Sequence, residues 1–276
     1  MNYDPLLSDP LIEEDKIAYL EQDAIGFKFG DRGTHTSRTI MLAELKILLH
    51  SCPMTANKRD YRAEVIDHNC LGKRTVATRK LSYQRLSEMY GLDSTVLIFS
   101  VLRRLWESDA ASQPLLAMLI ALARDPLLRY TAAPILRLRP GEELSRQTMI
   151  DALDRSTGSR YNESILDKIV RNASSSWTQS GHLAGRNRKK RQFVRPSPIV
   201  VTFAMVLGYI LGARGAALFE TFWSRVLDAS PGELIQIALD AKRLGFVDLT
   251  VSGGVVEASP LRILSDEERR SIHGKN

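Results

Sequence analysis

The sequence predicts a mainly α protein, a helical bundle with winged helix-turn-helix elements and short β-hairpin wings. Three observations predict it. Capped or proline-started segments with apolar residues at helical spacing follow one another from Thr36 to Ile135. Two further segments, Ser145–Arg155 and Tyr161–Trp177, are joined by the short turn Ser156-Thr157-Gly158-Ser159. Finally, the stretches 181–196 and 245–260 carry hairpin signals, and each directly follows a helix. The 276 residues, 44% hydrophobic and 25% charged, exclude a collagenous, disordered or disulfide-scaffold chain. The chain divides into an N-terminal extension (1–35), a helical domain with a basic helix (36–140) and a winged-helix domain (141–276).

The extension is polar and punctuated by Gly26, Gly30 and Gly33, without the strand-to-helix context of a phosphate-binding fingerprint. Ser37–Leu49 reads as a capped, almost continuously apolar helix. Arg59–His68 is a second, and Asn69–Gly72 a break. Thr75–Tyr90 is a third, with Tyr83, Leu86, Met89 and Tyr90 on one side and Gly91 just past its end. Val96–Trp106, Pro114–Arg124 and Pro126–Ile135 follow, the latter two with proline in the first turn. In Tyr161–Trp177, residues Tyr161, Ile165, Leu166, Ile169, Val170, Ala173 and Trp177 share one face. The opposite face presents Arg160, Ser164, Asp167, Lys168, Arg171, Ser175 and Thr178.

Directly after it, Gly181–Gly185 and Gln192–Arg195 pair as short strands around the basic loop Arg186–Arg191, which makes a wing. The uncharged run Ile199–Leu211 sits in a helix of about 22 Å, too short for about 30 Å of hydrocarbon, so it reads as a core helix and not a membrane span. Pro231–Leu244 is a helix, and 245–260 is a hairpin turning at Ser252-Gly253-Gly254 with Val247, Leu249 and Val251 alternating along its first strand. This second hairpin is not basic and suits a structural or protein-contacting role.

Charge supplies the functional argument. The net charge is only +6, but Arg186–Arg195 holds six positive residues and Lys73–Arg85 five, with no acid in either stretch. Without these eleven the chain carries −5. Concentrated basic charge implies a polyanionic partner, and beside a helix-turn-helix the partner expected is double-stranded DNA. Arg186, Arg188, Lys189, Lys190, Arg191 and Arg195 are expected to grip phosphates from the wing. Arg160, Lys168, Arg171 and Ser175 are expected to enter or border a major groove. Lys73, Arg74, Arg79 and Lys80, with Gln84 and Arg85 nearby, make a second basic set that reads equally as DNA-facing or as a solvated helix face. Six to eight phosphate contacts correspond to a log–log salt slope of roughly −5 to −7. A rival reading is a protein scaffold whose basic loop meets an acidic partner, using Ile199–Leu211 and the aromatics Phe219, Phe222 and Trp223. A third is a winged-helix transcriptional regulator.

Catalytic patterns are thin, and a non-enzymatic protein without metal or cofactor is expected. There is no phosphate loop, no His-Glu-x-x-His and no Gly-x-Ser-x-Gly. His35, His50, His68, His182 and His273 lack ligand spacing, and Glu13-Glu14 and Glu142-Glu143 diverge as neighbours. Asp151, Asp154 and Lys168 make only a loose nuclease-like set. Cys52 and Cys70 read as buried or half-buried free thiols. Met1–Pro10 shows no basic segment followed by an apolar run, and a cytoplasmic location is expected.

The run from Glu64 through Asn69-Cys70-Leu71-Gly72-Lys73-Arg74-Thr75 to Arg79, continuing to Gln84-Arg85-Leu86, resembles the BrxA family of bacterial BREX phage-defence systems. The likeness lies in an Asn-x-Leu-x-x-Arg-Thr segment that leads into a helix ending in Arg-Leu, and in the style of the later helix, turn and hairpin. It spans about a third of the chain. The chain is longer than typical members, with 196–276 as the addition. The resemblance implies a helical, winged-helix-containing accessory protein that binds double-stranded DNA without catalysis. It would act beside the methyltransferase, ATPase and phosphatase-like components of such a system, with Lys73, Arg74, Arg79 and Lys80 as the relevant positions of the matched segment.

Overall fold

A computed structural model describes residues 14–273. The expectation for Met1–Pro10 lies outside the described residues. The architecture is mainly helical with two small antiparallel β-hairpins. The helices are α1 (Glu14–Leu20), α2 (Leu42–Ser51), α3 (Lys58–Ile66), α4 (Val76–Tyr90), α5 (Leu97–Trp106), α6 (Gln113–Arg124), α7 (Pro126–Tyr130), α8 (Ala132–Leu136), α9 (Arg146–Thr157), α10 (Glu163–Gln179), α11 (Pro198–Ile210), α12 (Phe222–Arg225), α13 (Pro231–Arg243) and α14 (Asp266–His273). The strands are β1 (Leu183–Ala184), β2 (Lys190–Arg191), β3 (Asp248–Ser252) and β4 (Val255–Ser259).

Local chemistry accounts for most boundaries. Asn57 and Asp60 close a capping box on α3, and Ser230 and Glu233 close one on α13. Thr75, Ser145, Asn162 and Ser197 accept amide hydrogens at the starts of α4, α9, α10 and α11. Two boundaries differ from expectation, both through tertiary bonds. Residues 37–41 are not helical: the Ile40 amide donates to Ser176 Oγ and the Leu42 amide to Gln179 Oε1, so the segment lies stretched along α10. The helix expected over Pro126–Ile135 is two short ones. Pro134 has no N–H to give the carbonyl of Tyr130, and at the joint the Thr131 hydroxyl donates to the Leu128 carbonyl while accepting from Trp177 Nε1.

Buried side chains form one continuous cluster running from Leu20 to Ile272. At its centre α11 is buried on every side from Ile199 to Ile210, and α5, α6, α12 and α13 pack around it. Among the described residues no helix is long and apolar enough to cross a membrane. Phe219, Phe222 and Trp223 are buried core, with Phe27 edge-on to Trp223 at 6.0 Å. Cys52 is buried and Cys70 half-buried, both free. Burial pushes their thiols up to about 12 and about 11, so both stay protonated and weakly nucleophilic near neutrality.

The first hairpin has a different register from the one expected. Leu183 faces Arg191 and Ala184 faces Lys190, so Lys190 and Arg191 belong to a strand, the loop is 185–189, and Gln192–Arg195 is not a strand. Gly185 (φ +106) closes the loop in a conformation that L side chains rarely adopt, and a Cβ there would meet the Arg188 carbonyl oxygen at 2.1 Å. On the outer side of β2 the chain just before α9 adds itself: Glu143 bridges Lys190, the Arg191 amide donates to the Glu142 carbonyl, and the Leu144 amide donates to the Lys189 carbonyl. The second hairpin, β3–β4, turns at Gly253-Gly254, with Ser252, expected in the turn, paired to Val255 as the last residue of β3.

Candidate nucleic-acid interface

The α9–α10 pair and the 185–189 loop bring together much of the predicted basic set. The core face of α10 consists of Leu166, Ile169, Val170, Ala173, Ser176 and Trp177. That leaves Lys168 and Arg171 exposed and Ser175 half-buried. Between α10 and the loop runs a groove of about 350 Å³ lined by Arg171, Ser174 and Ser175 on one side and Arg186, Asn187 and Lys189 on the other. Arg146, the first residue of α9, closes its end. Four cations thus face one concave surface. Arg146 escaped the sequence reading because it sits alone, outside both basic runs; its place at the start of the first helix was the available signal.

One acid organises this face. Asp167 binds Arg146 at 2.7 Å and Arg171 at 3.4 Å, and the bond from Arg146 holds its carboxyl below the usual carboxylate range. Arg188 is four-fifths exposed and only loosely paired with Glu143, at 4.0 Å. Lys190 is exposed but alternates with its strand neighbours, so it projects from the opposite side of the hairpin to Lys189. Arg195 is exposed beyond the hairpin.

Arg191 is not a surface residue. Its side chain is fully buried and paired with Asp228, and it donates to the carbonyls of Ile135, His182 and Gln192. With four of its five donors so engaged and its side chain fully buried, this guanidinium is a core fastener out of reach of a phosphate. Arg160 is half committed, bound to Asp31 and set against the Tyr161 ring.

The N-terminal basic set is also divided. Lys73 pairs with Glu44 at 3.1 Å. Arg79 turns inward, donating to the Lys73 and Ile66 carbonyls and pinning the loop between α3 and α4. Arg85 pairs with Glu88. Arg74 and Lys80 remain exposed. Tyr90 is core, its hydroxyl donating to the Ile40 carbonyl, and Tyr83 is half-buried against Lys58.

Sequence reasoning missed a buried polar cluster behind α10. Ser176 Oγ lies 2.8 Å from His35 Nε2, and His35 Nδ1 lies 2.8 Å from Asp125 Oδ2. That is the connectivity of a nucleophilic triad, but all three residues are fully buried. Ser176 Oγ also accepts from the Ile40 amide and bonds the Asn172 carbonyl, so the oxygen is enclosed by partners. The cluster instead ties the 33–42 segment to α10. Burial pushes the Asp125 carboxyl up, but His35, the Thr34 hydroxyl and the Leu128 amide together bring it down to about 2. Gly33 is required for this approach, because a Cβ there would stand 2.1 Å from Asp125 Oδ1.

His182 is the second buried histidine, bonded to Ser180 Oγ and the Val226 carbonyl and edge-on to Trp177 at 4.8 Å. Burial brings its imidazole down to about 4. Unfolded His182 takes a proton near its ordinary value of about 6.5, whereas the folded residue takes one only near 4. Its stabilisation is therefore complete above about pH 6.5 and is lost as the pH falls toward 4. Urea unfolding at pH 7.5 and pH 5 should show a loss of about 2 kcal/mol from this residue; a His182→Gln variant should lose correspondingly less over that interval.

Among the described residues no group of three or more His, Cys, Asp and Glu could hold a metal ion. No family model and no curated protein matches the sequence.

Proposed function

We propose that residues 126–195 form a winged helix-turn-helix that binds duplex DNA chiefly through its phosphates. The order helix, α9, α10, hairpin, with the segment before α9 bridged at Glu143 to the outside of the hairpin, supports this reading. The observation that carries it is the groove in which Arg146, Arg171, Arg186 and Lys189 converge. Lys168 and Arg171 border the major groove from α10, and the 185–189 loop follows the backbone. Lys168, Arg188 and these four cations make about six phosphate contacts, for a salt slope of about −5. Fluorescence anisotropy with a random duplex of about 30 base pairs across a salt series tests it; absence of binding at low salt overturns it.

Asp167 restrains this surface, since it neutralises two arginines and presents a carboxylate toward the phosphates. Asp167→Asn should tighten DNA binding about threefold to tenfold at low salt, measured by the same anisotropy titration, with little change in stability because the ion pairs are exposed.

Membership of a phage-defence system rests on the resemblance over 64–86 to the BrxA family, and plating efficiency of phage on a host with and without the gene tests it. A scaffold reading draws on one observation, the exposed Val251 and Val255 beside the β3–β4 turn, at 50% and 63%. DNA binding without sequence preference separates the first reading from a transcriptional regulator.

A further inference from the structure

A cleft of about 730 Å³ lies between α8 and α9, outside the basic groove and within the range of small-molecule sites. One wall is Ala133 and Pro134 of α8 with Tyr130, Arg137 and Leu138 on either side. The other wall is Thr148, Ala152, Arg155 and Ser156 of α9, which recur at i, i+4, i+7 and i+8 and so share a helix face. The body of the cleft is thus mixed, with Ala133, Pro134, Leu138 and Ala152 supplying apolar surface among polar side chains, while a guanidinium stands on each wall. Arg155 holds its own turn through Nε to the Asp151 carbonyl, which leaves its terminal nitrogens available. Glu142 is the one carboxylate at the lip, and its Oε2 already accepts the Arg139 amide.

We propose that this cleft binds a small amphipathic organic anion, an aromatic ring system bearing a carboxylate or sulfonate, with the rings against Pro134, Leu138 and Ala152 and the anion between Arg137 and Arg155. Charge complementarity and size select this class. A bare inorganic ion would leave the apolar walls wet, and a neutral ring system would leave both guanidiniums unused. The site is also wired to the basic groove. The same α9 carries Arg146 at its start and packs on α10 through the adjacent face that holds Met149, whose Sδ meets the Ser174 hydroxyl. Glu142 belongs to the segment whose backbone bonds β2. Occupancy therefore biases the placement of Arg146 and the wing, a coupling that rests on the DNA-binding reading and is reciprocal between the two sites.

The probe is 1-anilinonaphthalene-8-sulfonate, titrated by fluorescence against the full chain, with N-phenyl-1-naphthylamine as the same aromatic body without the anion. One saturable site is expected, with the sulfonate bound about tenfold tighter than the neutral amine. Arg137→Glu with Arg155→Glu, both exposed and outside the core, should erase that preference while circular dichroism stays unchanged. Ala152→Trp should block both probes by filling the cleft. No saturable binding, or binding untouched by these variants, overturns the proposal. Anisotropy with the random duplex, with and without saturating sulfonate, reads the coupling separately. A chain that binds the sulfonate but no DNA keeps the site and removes the DNA reading. A chain that binds both with unchanged DNA affinity keeps both sites and removes the coupling.

Discussion

Arg191→Ala is expected to destabilise the fold by about 3–5 kcal/mol, the range for breaking a buried ion pair by deleting one partner. The substitution strands Asp228, whose side chain is 5% exposed, with the Val194 amide as its other bond. It also removes a donor from three backbone carbonyls, of which Ile135 and His182 keep a backbone amide, from Leu138 and Gln192. A thermal midpoint lower by about 10 °C is the corresponding signal for a chain of this size. Asp228→Ala should cost a similar amount, while Arg191→Met with Asp228→Leu should cost clearly less than the two single changes together, because neither charge is then left buried alone. The same variant tests the placement of Arg191 away from DNA. Assayed at a temperature where it stays folded, Arg191→Ala should bind duplex with an unchanged salt slope. A slope lowered by about one unit would return Arg191 to the interface.

The opposite pattern is expected of the loop. Replacing Arg186, Arg188 and Lys189 together by alanine should weaken binding to all sequences by about 100-fold near 0.1 M salt and reduce the steepness of the log–log salt plot by about 2.7. The thermal midpoint should move by less than about 2 °C, since none of the three is buried and only Arg188 has an ion-pair partner, at 4.0 Å. Lys190→Ala serves as the internal control. It removes the same charge from the next position but from the other side of the hairpin, so the slope should hardly change. A triple variant that leaves the slope intact would take the loop away from the phosphates.

The contrast between Arg191 and its neighbours shows what the sequence contained. The helices from 58 to 124, the α9–α10 pair, the second hairpin and the core status of the 199–211 segment were legible because caps, prolines and apolar spacing are local signals. Six positive charges in a row of ten residues were legible as a basic stretch, but not which of them points inward. That depends on a one-residue strand register and on Asp228, thirty-seven positions downstream. Arg79 was opaque for the same reason: its acceptors are backbone carbonyls, which leave no trace in composition. Arg146 was missed because clusters attract attention and single residues do not. The His35–Asp125–Ser176 cluster joins positions scattered over three parts of the chain, each unremarkable alone.

That cluster also sets a timetable for biosynthesis. His35 leaves the ribosome 141 residues ahead of Ser176, a lag of roughly 7–28 seconds at ordinary elongation rates. Until then the 33–42 segment can meet α4 and α7 but lacks the helix along which it lies. Helix α10 and the strap behind it are completed together, late in synthesis. A chain released before Lys189 should lack the assembled basic groove, so the surface proposed for DNA exists only once more than two thirds of the polypeptide has been made.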